Sequence, residues 1–230
     1  MEPGLSFEQL EAIRRLDACN LSNAIETFGV RLRNEGFADS TVRCMFPDLP
    51  PVVGYAATCR IRSAAPPIGG GTFLDRTDWW NYLATVPAPR IVVMEDIDER
   101  PGLGALIGEV HSHILRALGC TALVTNGAVR DLQAVAAAGF PLFAGNVAVS
   151  HAYAHILDFS GPVSVGGLPV HSGDLLHGDR HGVQQVPKRL VPRIPSEAER
   201  LWDEERRVIA LYDAPGFSLS KLREAVEKHA

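Results

Sequence analysis

Arg130 and Asp131 stand side by side just after an apolar run, Cys120 to Thr125, and the pair Asn126-Gly127. A guanidinium forks onto a carboxylate or carbonyl through parallel N–H groups, and an aspartate is a hard oxygen donor for a divalent cation. At one strand-to-helix turn the two residues could hold a cation and a small oxo acid together. The same letters also suit a helix-capping acid beside a solvated arginine. Glu109 lies 20 intervening residues upstream and could face the same cation from a neighbouring turn. Gly102, Gly104 and Gly108 precede it. Glycines permit close backbone approach, and the amides at a helix start can hold an anion such as a carboxylate. Simple turn geometry would demand the same glycines. Their pattern is GxGxxxG, which gives poor support to a dinucleotide site.

Other residue types capable of chemistry carry weaker patterns. His111 and His113 sit two apart on a helix and point to different faces, although His111 could line a pocket beside Glu109. His151 and His155 have the four-residue spacing of metal ligands but no accompanying acid motif. His177, Asp179 and His181 fall in a turn-rich segment and could form a zinc cluster or border the pocket from a neighbouring subunit. Asp174 and Asp179 read as turn acids bonded to nearby amides. Trp79, Trp80 and Tyr82 read as core or subunit-contact aromatics.

The elements that would position these residues follow from periodicity. Residues 5–28 predict a helix with Ser6 as its cap. Residues 52–62 predict a strand, 64–71 a Pro/Gly loop, and 75–86 a helix. Residues 90–96 form an apolar run typical of a buried strand. A helix is expected from Gly108 to Leu118, a strand at 120–125, a turn at Asn126-Gly127, a helix over 129–138 ended by Gly139, and a strand at 141–149. Beyond residue 160 short strands are expected at 163–170 and 182–187, with turn chemistry at 172–179. Pro187, Pro192 and Pro195 mark a hinge before helices at 196–212 and 218–229. Alternating strands and helices argue for a mostly parallel sheet with helical crossovers. Two adjacent strand-to-helix turns, at Gly108 and Gly127, could then share one pocket at the carboxyl ends of the strands.

Composition narrows the function classes. A 230-residue chain with 46% hydrophobic and 21% charged residues can build a full core without disulfides. The net charge of −5 and scattered lysines and arginines argue against a nucleic-acid partner. No apolar run reaches the roughly 18 residues of a membrane span, so no membrane partner is expected. Met1-Glu2-Pro3-Gly4 does not look like the start of a secretory signal. Cys19, Cys44, Cys59 and Cys120 show no paired spacing, as expected for free thiols in the cytoplasm.

Gly108-Glu109, twenty intervening residues and Arg130-Asp131 together resemble the acid-x20-Arg-Asp signature of the RraA-like family, which includes the 4-hydroxy-4-methyl-2-oxoglutarate / 4-carboxy-4-hydroxy-2-oxoadipate aldolases. The surrounding text is similar too: Gly119-Cys120, Asn126 to Asp131, Gly173 to Asp179, Gly182-Val183 and Pro187. The likeness spans roughly residues 10 to 190. It implies an α/β fold, a layered α/β/α single domain with a mixed sheet of the swivelling-domain type. Residues 1–195 would form the catalytic domain and 196–230 a C-terminal helical extension. It implies a metal-dependent aldolase or decarboxylase that releases pyruvate from a small 2-oxo acid such as a 4-hydroxy-2-oxo acid or oxaloacetate. Asp131 would bind Mg²⁺ or Mn²⁺ and Glu109 would reach the metal through water. Arg130 would contact the pyruvyl group, and Gly108, Glu109, Val110 and His111 would hold the substrate partly through backbone amides. A homotrimer or homohexamer with its active site at a subunit boundary is expected. The alternative within the family is a protein-binding regulator of an RNA-degrading endonuclease. Three positions depart from the common pattern: Glu109 where Asp is usual, Ala134 where an acid is usual, and Asn126 where Asp is frequent.

Overall fold

The structure is a computed structural model that describes residues 5–68, 77–213 and 215–227. The chain opens with α1 (Phe7–Arg14) and α2 (Ala18–Thr27). Ser6 caps α1 in a reciprocal pair: its Oγ accepts from the Gln9 amide, and the Gln9 side chain accepts from the Ser6 amide. The single helix expected over 5–28 is two, because Asp17 starts a new N-terminus by accepting from the Asn20 amide at 2.8 Å. Next come β1 (Arg43–Cys44), β2 (Val52–Arg62), α3 (Thr77–Thr85), β3 (Arg90–Asp96), β4 (Ala105–Ile107), α4 (Glu109–Ala117), β5 (Cys120–Val129), α5 (Leu132–Ala137) and β6 (Leu142–Val147). The second half contains β7 (His155–Phe159), β8 (Val163–Val165), β9 (Leu168–Val170), β10 (Leu175–Asp179), β11 (Gly182–Gln185), α6 (Ile194–Asp213) and α7 (Leu219–Glu227). The expected Pro/Gly loop at 64–71 and the helix start at 75–76 lie partly outside the described residues.

One mixed sheet organises the molecule, in the order β1-β6-β5-β3-β2-β10-β11, with β4 added beside β5 and β7 beside β2. Neighbours among β2, β3, β5 and β6 run parallel, and β10, β11, β7 and β1 are antiparallel to their partners. β2 and β3 are apolar along almost their whole length because both sheet faces are covered. The larger core lies under the helices and includes Ile13, Leu21, Ile25, Leu83, Leu115 and Val135. The opposite face packs Ile91, Val93, Val124 and Phe143 against the β8–β9 hairpin. The expected α/β fold with a mixed sheet is present, but helices cover one face and a hairpin the other, where helices on both faces were expected. Each fully buried Leu, Ile or Phe contributes about 1.5–3 kcal/mol. α6 belongs to this core at its start: Ile194 and Ala198 are buried among residues that include α2. Among the described residues no helix is long and apolar enough to cross a membrane.

Two local expectations are overturned. The segment 172–179 is a turn only at its start, although Asp174 and Asp179 do accept from the nearby His171 and His181 amides as expected. Leu175–Asp179 is a fully buried strand paired with both β2 and β11. Asn126-Gly127 does not end its strand either. β5 continues to Val129, and the expected helix at 129–138 begins only at Leu132.

Candidate active site

β5 delivers the Arg-Asp pair, and a bulge sets its aim. Thr125 lies opposite Ala144 on β6, whereas Ala128 lies opposite Asn146, so Asn126 and Gly127 together face Gly145. The Asn126 side chain holds this bulge against β3. Its Oδ1 accepts from the Asp96 amide at 2.7 Å, and its Nδ2 donates to the Asp96 carbonyl at 3.0 Å. Gly127 is required by close approach, since a Cβ there would meet the Asp96 Cβ at 3.0 Å. Past the bulge, the Arg130 amide donates to the Ile107 carbonyl at 3.0 Å, tying the end of β5 to the end of β4. The turn falls at Asp131, a non-glycine residue in the left-handed region with φ 54° and ψ 38°. Asp tolerates that region better than most residues, and such conformations concentrate at functional sites.

Asp131 precedes α5 yet makes no capping bond to it. Its carboxylate turns instead to the start of α4. Oδ2 accepts from the Glu109 amide at 3.1 Å, and Oδ1 accepts from Arg130 Nε at 3.1 Å. The Glu109 amide, with the Arg130 guanidinium adding to it, holds the Asp131 carboxyl below the usual carboxylate range. The two terminal NH₂ groups of Arg130 have no partner among the described residues. Gly108 is the residue that lets the turns meet: a Cβ on it would overlap Asp131 Oδ2 and crowd Arg130 Cγ. The first turn of an α-helix carries amides that no carbonyl of that helix can take up, and its dipole favours an anion there. Glu109 and Asp131 both open onto a depression of about 470 Å³ whose far wall includes Gln133 and Ala134. An acid at position 134 would face this same space.

Glu109, Arg130, Asp131 and Gly108 are thus brought together. Val110 is exposed at the same helix start. His111 is buried, and burial, with His151 adding to it, pushes its pKa down to about 4, so it is a neutral imidazole. His113 points to solvent. His151 was not connected to this site by sequence. Its Nδ1 meets the Ala105 carbonyl at 2.7 Å, and a positive charge on its ring would lower the pKa of both Asp131 and His111. Its four-residue spacing to His155 pointed to a metal pair and not to this site, which it reaches because a loop after β6 carries it back onto β4. His177 and Asp179 lie elsewhere, under α2: His177 Nε2 meets the Leu16 carbonyl at 3.0 Å, and Asp179 accepts from the Ala18 amide at 2.8 Å. Trp79 and Tyr82 pack with Phe159 at 5.9 and 5.1 Å between ring centroids, a core cluster.

The donor set suits a hard divalent cation. Asp131 is held ionised, its side chain is 37% exposed, and Glu109 adds a second oxygen donor at the rim of the same depression. Among the described residues no group of three or more His, Cys, Asp or Glu converges. The protein would thus supply one or two carboxylates and leave other positions to water and ligand, an arrangement common for Mg²⁺.

Comparison with known proteins shows the family and the fold. The family described as RraA-like, Aldolase/RraA, matches residues 18–184, and the chain belongs to that family. A provisionally named 4-hydroxy-4-methyl-2-oxoglutarate aldolase of Halalkalibacterium halodurans is 32% identical over 111 residues, 47% of this chain and 53% of that protein. This chain therefore matches about half of that relative's length. Among solved structures, an uncharacterised protein of Pseudomonas syringae pv. tomato superposes with a TM-score of 0.73 at 22% identity, covering 97% of this chain and 96% of the other. RraAS2 of Streptomyces coelicolor, described as an unusual member of the RNase ES inhibitor RraA family, superposes with a TM-score of 0.68 at 20% identity, over 89% and 98%. These two likenesses establish the fold.

Proposed function

We propose that this protein is a carbon–carbon lyase that cleaves or decarboxylates a small 2-oxo acid to pyruvate with a divalent metal, Mg²⁺ or Mn²⁺. One observation carries the reading: the Glu109 amide donates to Asp131 Oδ2, which joins the α4 start and the Arg130-Asp131 turn into one site. Asp131 would hold the metal and Glu109 would reach it through water. A bound divalent cation supplies Lewis acidity toward the keto and carboxylate oxygens. Arg130 presents its free NH₂ groups to the pyruvyl carboxylate or ketone and stabilises negative charge as the carbon–carbon bond breaks. Gly108, Val110 and His111 place the α4 amides against the substrate. Glu109 orders a water that takes the 4-hydroxyl proton in the retro-aldol direction. Decarboxylation of oxaloacetate demands the same enolate stabilisation, so one site could perform both reactions.

The site is open, and Val110 stands exposed at the helix start that forms it. This supports a homotrimer or homohexamer in which a neighbouring subunit closes the pocket, measurable by light scattering on the purified chain. The second reading, a regulator that binds an RNA-degrading endonuclease, requires no such site; the presence of Glu109, Arg130 and Asp131 in one place favours the enzyme. The test is pyruvate release from a panel of 4-hydroxy-2-oxo acids and oxaloacetate with Mg²⁺ or Mn²⁺. Turnover is expected that a chelator abolishes and that Asp131→Ala reduces by about 10²–10³-fold or more, the scale of losing a key electrostatic group, with the circular dichroism spectrum unchanged. Full turnover by Asp131→Ala would remove the metal assignment.

A further inference from the structure

A second cavity, of about 440 Å³, opens at the β10–β11 end of the sheet, and cations dominate its charge. Arg31, Lys188 and Arg189 line it, with Asp174 as the one acid among its wall residues. The Arg31 guanidinium is half-buried. Its Nη1 donates to the Gln185 carbonyl at 2.8 Å, and it forms no ion pair among the described residues. Gly36 makes room for it, since any Cβ at that position would overlap the guanidinium. Burial lowers the Arg31 pKa even though Glu26 and Glu35 act in the opposite sense. The cation is thus partly desolvated without a matched counter-charge, a condition that an incoming anion relieves. Lys188 lies 5.7 Å from the Tyr55 ring centroid, and neither it nor Arg189 is ion-paired among the described residues. Asp174 is already engaged: its Oδ2 accepts from the His171 amide at 2.8 Å and from Gln185 Nε2 at 2.7 Å. Val30, Leu175 and Val186 give the cavity an apolar wall, and its volume is that of an ordinary metabolite site.

We propose that this cavity binds a small organic anion, a carboxylate or phosphate on a short apolar body, at a site separate from Arg130. Arginine forks onto either head group through two parallel N–H donors, and the flanking Lys188 and Arg189 add point charges. The two sites are not neighbours. The Arg130 turn follows β5, whereas this cavity borders β10 and β11, and β3 and β2 stand between.

The test is calorimetric titration of the full chain with inorganic phosphate and with malonate at constant ionic strength. Wild type, Lys188→Glu/Arg189→Glu and Arg130→Ala are compared. At least one of the two anions is expected to bind saturably, tenfold or more weakly in the charge-reversed double variant, and within twofold of wild type in Arg130→Ala. The tighter of the two identifies the head group. Hydrogen exchange on the wild type provides a reading independent of any variant's folding, with added protection expected at residues 185–189. Absence of saturable binding by both anions, equal binding by the double variant, or protection confined to residues 108–112 and 130–132 would overturn the proposal.

Discussion

Gly108 and Asp131 are coupled by contact, and that coupling can be probed with a single methyl group. The Gly108→Ala Cβ would overlap the carboxylate that the Glu109 amide holds. The expected result is a fall in kcat of the order of 10²-fold, the scale reported for misplacing a catalytic group by about 1 Å, with a stability loss of about 1–3 kcal/mol from overpacking. Urea unfolding and the pyruvate assay on the same preparation separate the two effects; wild-type kcat in a folded Gly108→Ala would show that the carboxylate's present position does not matter. Glu109, Arg130 and Asp131 were singled out by the resemblance to the acid-x20-Arg-Asp signature, whereas local pattern alone put Arg130 and Asp131 inside a helix that begins only at Leu132. His151 was not legible, because it reaches the site through the Ala105 carbonyl and a loop whose path only tertiary packing defines.

At the level of elements, Asn126-Gly127 shows why a strong local signal failed. Asn-Gly is a good turn former, yet here the Asn side chain spends both its polar ends on the Asp96 backbone and keeps the chain extended. An aspartate at 126 could accept from the Asp96 amide but could not donate to the Asp96 carbonyl. Asn126→Asp is therefore expected to lose about 1–3 kcal/mol of stability through an unsatisfied buried acceptor and a carboxylate facing a carbonyl; an unchanged urea midpoint would contradict this role for the amide. The segment 172–179 failed for a related reason. Its glycine and aspartates read as turn chemistry, but Leu175 to Asp179 is a strand clamped between β2 and β11, a long-range pairing that no window of sequence displays. The parallel strands β2 and β3, by contrast, were read with their observed bounds, because burial on both faces writes an unbroken apolar run.

Across the whole molecule, two buried imidazoles set a pH dependence. Burial lowers the pKa of His111 to about 4 and also lowers that of His177. The unfolded chain takes up these protons near pH 6.5, and the folded chain takes them up only at lower pH. Unfolding is therefore accompanied by proton uptake below that point, so stability is full above about pH 6.5 and declines as the pH falls. For His111 the decline continues to about pH 4 and amounts to about 3 kcal/mol. His111→Asn is expected to flatten this part of a urea-midpoint against pH curve; an identical slope would assign the acid sensitivity elsewhere. α6 contributes through its first turn, and Ile194→Ala is expected to cost about 2–5 kcal/mol from the cavity left among α2 neighbours, readable as a lowered thermal midpoint.

The bulge opposite Gly145 also acts as a phase shifter. With one extra residue between Thr125 and Ala128, everything downstream on β5 meets β6 one position later than an unbulged strand would. A one-residue deletion there would leave the first half of β5 paired as before. It would draw Arg130 and Asp131 back by one residue, about 3.3 Å along the strand, and part Asp131 Oδ2 from the Glu109 amide. The sheet's middle and its chemical end are thus set by separate registers, and the offset between them is a single peptide unit.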